Sequence, residues 1–214
     1  MKRITFIVGH YGSGKSEFAL NLAVQKHVDL LIDLDIVNPY FRSRELGVEL
    51  AEKNIRFVSS PIKGLGSDLP YIAKEAFLPF YRNLTSIFDL GGDDVGTKVA
   101  RQFFELINYE TTDFLFCVNV YREETDNSEK IIKMMEKIEK AGSIKLTGLI
   151  NNTNLLRETS YQDLLIGEKI LEEVEQRTGL KIVYTGVYEN VLPECGKLAG
   201  EIIPLKLYLR KKWL

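Results

Sequence analysis

"GHYGSGKSEF", residues 9 to 18, decides the fold. It satisfies the pattern G-x-x-x-x-G-K-[ST] through Gly9, Gly14, Lys15 and Ser16, and it sits between the apolar run "RITFIV" at 3 to 8 and a helical pattern over 15 to 27. A strand that ends in glycines and reopens as a helix aims several backbone N–H groups at one point, and the helix N-terminus adds the positive end of its dipole. The spacing predicts a phosphate loop in which Lys15 reaches the outer phosphates of a nucleotide and the Ser16 hydroxyl ligates Mg2+. Gly9, Gly12, Ser13, Gly14, Lys15, Ser16 and Glu17 are the expected nucleotide contacts. A turn that uses glycine for packing alone does not account for strand, spacing, lysine and serine together.

Outward from this loop, short runs rich in β-branched and aromatic residues recur at 3 to 8, 29 to 34, 55 to 59, 85 to 90, 113 to 120, 145 to 150 and 181 to 187. Continuous apolar runs of this length read as strands buried on both faces. Helical patterns alternate with them. Phe18, Ala19, Leu22 and Ala23 share a face in the first, Ile131, Met134, Met135 and Ile138 in another, and Leu164, Leu165, Ile170, Leu171 and Val174 in a third over 161 to 178. The expectation is a three-layer α/β nucleoside triphosphatase fold: a mostly parallel sheet of about seven strands flanked by helices, with residues 1 to 214 forming a single domain. The irregular segment 59 to 70 reads as a functional loop rather than a boundary.

Two acidic clusters follow the glycine loop. "SIFDLGGDD" puts Asp89 at the end of a buried strand, where a carboxylate is costly without a partner, so it is the expected Mg2+-linked residue, with Gly92 beside the nucleotide. Asp93 and Asp94 read as switch-region residues or as caps of a helix running from about Val95 to Asn108. "LLIDLDIVNP" holds Asp33 and Asp35 two residues apart, on one face of an extended chain at the edge where open α/β sheets bind ligands. Ser16, Asp33, Asp35 and Asp89 form the candidate metal set; Lys15 and Asp35, the latter orienting the attacking water, form the candidate catalytic set.

Composition narrows the class. The chain has 28 Lys plus Arg against 30 Asp plus Glu, a formal net charge of −2, which argues against nucleic acid or a membrane surface as partner. The apolar start is too short for a signal peptide or a membrane span, so a cytoplasmic protein is expected. Two cysteines, Cys117 in an apolar run and Cys195 in a polar one, make no disulfide framework and read as structural thiols.

In order and position these clusters resemble the MinD/ParA branch of the SIMIBI-class P-loop ATPases, over most of the first 155 residues: "GHYGSGKS", "LLIDLDIVNP", "SIFDLGGDD" and "LTGLINNTN". The chain is also similar to a small prokaryotic group of ATP-binding proteins sharing "DLDIVNPYFRSRE", "GGDDVG" and "TGLINNTNLL". The resemblance implies ATP and Mg2+ as cofactors, a protein partner of unidentified kind and a homodimer closed around nucleotide. It has one departure: many members carry a second lysine after the first loop glycine, and His10 stands there.

"GLINNTN" ends a strand where related GTPases have N-K-x-D, with Asn151 matching the Asn and Asn152 and Asn154 replacing the Lys and Asp. An amide offers adenine both a donor and an acceptor, which points to ATP; a turn tied by asparagine side chains is the alternative. Arg42 and Arg44 read as a solvated helix face beside Glu45 and Glu49. The C-terminal "PLKLYLR" alternates with period two and reads as an edge strand or packed tail. The leading expectation is a Mg2+-dependent, slow ATPase acting as a conformational switch of residues 35 to 45 and 89 to 97. A small-molecule kinase and a non-hydrolysing regulatory or maturation factor stay open as alternatives.

Overall fold

A computed structural model describes residues 1–35, 44–59, 72–92 and 97–209. Asp93, Asp94, Arg42, most of the 59 to 70 loop and the last five residues therefore lie outside the described residues, as does much of both expected switch regions.

The expected strands are present as β1 (Ile4–Val8), β2 (Leu30–Leu34), β3 (Arg56–Ser59), β4 (Ser86–Leu90), β5 (Thr112–Val118), β6 (Gly148–Asn151) and β7 (Ile182–Tyr188). An eighth, β8 (Glu201–Leu205), extends the expected count of about seven. Among the described residues they form one sheet in the order β3-β2-β4-β1-β5-β6-β7-β8, and every neighbouring pair runs parallel. β8 overlaps the segment expected as an edge strand or tail, and it does take an edge. Pro204 is tolerated there because an edge strand has one side with no ladder bond to donate.

The parallel sheet has a core on both faces, as continuous apolar strands require. On one face Phe6 of β1 stacks between Phe88 of β4 and Phe114 of β5, its register partners, with ring centroids 4.3 and 4.6 Å away. Ile131, Met135 and Ile138 of α4 (Ser128–Gly142) and Leu171 and Val174 of α5 (Tyr161–Thr178) close over this face. The other face carries Ile7, Leu31, Ile87 and Cys117, covered by Phe18, Ala19, Leu22 and Ala23 of α1 (Lys15–Lys26) and by Leu46 and Leu50 of α2 (Arg44–Glu52). A short α3 (Leu78–Tyr81) precedes β4.

The helix expected over 95 to 108 differs: Val99–Leu106 is a 3-10 helix. It buries Val99, Ala100 and Phe103, with Leu106 half-buried; the last three recur every third position, which is the period of the tighter helix.

Candidate functional site

The site stands at the carboxyl ends of β1, β2 and β4, where β1 passes into α1. Helices α4 and α5 have their first N–H groups capped, by the Asn127 side chain and by a Ser160–Asp163 capping box. The N-cap of α1 is Gly14, at φ 79°, with no side-chain cap. Its leading N–H groups are left for a ligand, and the dipole's positive end favours an anion.

Three glycines set the loop's shape. At Gly9 a Cβ would come within 2.5 Å of the Cys117 carbonyl oxygen on β5. At Gly92 it would come within 2.7 Å of the Tyr11 nitrogen and 2.8 Å of the Gly9 oxygen, so the backbone after β4 packs directly on the entry to the loop. Gly12, at φ 78°, is the third residue of a turn closed by the Ser13 N–H donating to the His10 carbonyl at 3.1 Å; a positive φ there is what a type II turn demands.

From below, Asn152 Nδ2 donates to the Ser13 carbonyl at 2.7 Å, and the Cys117 thiol lies 3.8 Å from the same oxygen. Because a trans peptide points its C=O and N–H opposite ways, anchoring the Ser13 carbonyl inward directs the Gly14 N–H outward, toward the α1 terminus. Cys117 is fully buried and burial pushes its thiol up to about 12, so it is a neutral part of the loop's floor.

The charged residues form two pairs. Lys15 Nζ lies 3.2 Å from Asp35 Oδ2, both nearly inaccessible. Burial alone would lower the Lys15 pKa, but the Asp89 and Asp35 carboxylates outweigh it and hold the ammonium above its ordinary value. The Ser16 hydroxyl donates to Asp89 Oδ2 at 2.5 Å, while Asp89 Oδ1, also buried, has no hydrogen-bond partner among the described residues. Burial raises the Asp89 carboxyl from 3.8 to about 6; Lys15 and the Ser16 bond pull the other way without cancelling it. Asp33 is the register partner of Asp89 on β2, and its Oδ1 accepts the Asp35 N–H at 2.9 Å, tying the turn that presents Asp35.

Thus Lys15, Ser16, Asp35 and Asp89 come together, with Gly9, Gly12, Ser13, Gly14 and Gly92 shaping the loop. Among the described residues no group of three or more His, Cys, Asp or Glu forms a ready-made metal cage. The donor set still fits Mg2+, which keeps several waters and takes one or two protein oxygens beside phosphate. Ser16 and the unpartnered oxygen of Asp89 are the side-chain groups here that could hold it.

Other expected contacts are turned elsewhere. The Glu17 carboxylate accepts from the backbone N–H groups of Tyr208 and Leu209, so this side chain holds the C-terminal strap. Asn151 is spent on the Leu164 carbonyl and the Thr153 N–H, and Asn154 on the Asn152 carbonyl and the Leu156 N–H. The asparagine cluster is a turn tied by its own side chains, with Asn152 under the loop. His10 Nδ1 lies 3.7 Å from Glu124 Oε2.

Sequence reasoning passed over the segment after β5. There the Asn119 side chain accepts from the Tyr121 N–H at 3.0 Å, shaping a turn that brings Arg122 Nε 2.8 Å from the Gly12 carbonyl. An Asn closing an apolar strand was its one local signal.

Fold and loop together define an α/β P-loop nucleoside triphosphatase-like chain. Among solved structures it is similar to the cell division protein FtsY of Thermotoga maritima (TM-score 0.56, 15% identity), covering 87% of this chain and 62% of that one. The signal recognition particle receptor FtsY of Elizabethkingia anophelis (TM-score 0.52, 15% identity) and chloroplast FtsY of Physcomitrella patens (TM-score 0.56, 13% identity) are each matched over 87% of this chain and 59% of theirs. The chain thus spans about three fifths of the length of these structures, and the likeness is one of fold; it does not single out the MinD/ParA branch. No protein-family model and no curated protein matches the chain. No helix among the described residues is long and apolar enough to cross a membrane.

Proposed function

We propose that the protein is a Mg2+-dependent, slow ATPase whose hydrolysis resets a conformational switch read by a protein partner. The observation that carries this reading is the buried Asp89, with one oxygen on the Ser16 hydroxyl and the other unpartnered at the uncapped start of α1. A carboxylate held this way is costly unless the site is completed by a cation.

Phosphates of the nucleotide would take the outward N–H groups from Gly14 onward. Lys15 would then exchange Asp35 for the outer phosphates, offsetting the charge that develops on them, and the released Asp35 carboxylate would accept a hydrogen bond from the attacking water. Mg2+, when bound, would supply electrostatic stabilisation of the charge developing on the phosphates. Ser16 and Asp89 would hold it.

Adenine is the proposed base because no aspartate stands at position 154 to take the donor edge of guanine; the Asn154 amide itself is engaged by the Asn152 carbonyl and the Leu156 N–H and is not offered as a base contact. Likeness to a signal recognition particle receptor, a protein that by its name works with another assembly, supports a partner; a homodimer and a cytoplasmic location remain part of the proposal.

The test is phosphate release from Mg-ATP and Mg-GTP by wild type and Lys15→Ala, with calorimetric titration of both nucleotides. ATP-dependent release that vanishes in Lys15→Ala supports the reading. ATP binding without release makes the protein a binder awaiting a partner or acceptor, tighter GTP binding reverses the base, and no binding of either overturns the proposal.

A further inference from the structure

The crown of the loop, residues 10 to 12, is held by its own turn, closed by the Ser13 N–H on the His10 carbonyl, and is also gripped by the segment after β5. Arg122 Nε donates to the Gly12 carbonyl at 2.8 Å, and its guanidinium carbon lies 3.7 Å from where a Gly12 Cβ would stand. Glu124 faces His10 from the same segment. The arm's base is itself fixed, since the Arg122 N–H donates to the Asn119 carbonyl at 3.1 Å and the Thr125 hydroxyl to the same oxygen at 2.8 Å.

An arginine presents five donors in a planar fork, and Nε accounts for one. Among the described residues no hydrogen bond or ion pair engages the terminal nitrogens of Arg122, and the side chain is exposed. It is a cation placed against the loop's outer rim, whereas Lys15 is buried beneath on Asp35. The terminal phosphate of a nucleoside triphosphate carries the group's densest charge and lies outermost, where a guanidinium binds it with two parallel hydrogen bonds.

Resting on the phosphate-site reading above, we propose that Arg122 binds the terminal phosphate of a nucleoside triphosphate while Nε keeps its hold on Gly12. The loop after β5 thereby distinguishes triphosphate from diphosphate and carries that difference into α4, which begins six residues later at Ser128.

The experiment is calorimetric titration of wild type, Arg122→Ala and Arg122→Lys with ATP and with ADP in Mg2+ buffer, alongside a melting curve of each. Arg122 is exposed, so all three should fold alike. The expected result is a loss of about tenfold or more in ATP affinity for Arg122→Ala, the scale of one charge-assisted hydrogen bond, with ADP affinity changed by less than about threefold. Arg122→Lys should recover part of the loss through its charge. Equal losses for ATP and ADP, or none for either, overturn the inference and leave the phosphate site standing. A wild type that binds neither nucleotide overturns both.

Discussion

Replacing Asp89 by Asn should make the nucleotide-free protein more stable and its Mg2+-nucleotide complex weaker. Burial raises the Asp89 carboxyl from 3.8 to about 6, so at neutral pH the fold carries a charge that its surroundings disfavour. That displacement corresponds to roughly 3 kcal/mol. An Asn keeps an oxygen to accept from Ser16 and drops the charge, but it brings an amide N–H2 to the unpartnered side, offsetting about 1 to 2 kcal/mol. Lys15 keeps Asp35. A net gain of about 1 to 2 kcal/mol follows, or roughly 2 to 8 °C in Tm for a domain of this size. The sign with pH is also determined. The folded state holds this proton more tightly than the unfolded chain, so the group's stabilising contribution is complete below about pH 4 and is lost as pH rises through about 6. Wild type should gain stability on acidification through that window relative to Asp89→Asn, which has no such group. Thermal melts of both proteins from pH 7 to 5, with and without Mg-ATP, are the assay. A lower Tm for Asp89→Asn than for wild type at pH 7 without nucleotide would refute the claim that this carboxylate is held at a cost for a cation.

Two further changes probe the frame. Gly92→Ala would place a methyl within 2.8 Å of the loop's backbone at Tyr11 and Gly9, so the loop or the segment after β4 must shift; calorimetry should show nucleotide affinity down at least about tenfold with the fold retained. Asn21→Ala removes the amide that donates to the Lys206 carbonyl and accepts its N–H, at 3.0 and 2.8 Å, and urea titration should show a loss of about 1 to 3 kcal/mol. An unchanged midpoint would mean that the C-terminal strap is not held by α1.

The strands, three long helices, the glycine loop and the Asp-Asp and Asp-Gly-Gly clusters were legible in the sequence because each is local. Strand runs, helical faces and an eight-residue loop declare themselves within one window of chain, and Lys15, Ser16, Asp35 and Asp89 could be named from spacing alone. Only the tertiary structure decided what meets them. Arg122 reaches Gly12 across 110 residues, Asn152 reaches Ser13 across 139, and Glu17 reaches Tyr208 across 191. Glu17 looked like a loop residue because it follows Ser16, yet its carboxylate faces the strap; Asn151 and Asn152 read in the sequence as base contacts or as a turn tied by side chains, and in the fold their amides tie a turn and floor the loop. A side chain's partner depends on which strands lie side by side, and the order β3-β2-β4-β1-β5-β6-β7-β8 is a property of the folded sheet that no local window contains.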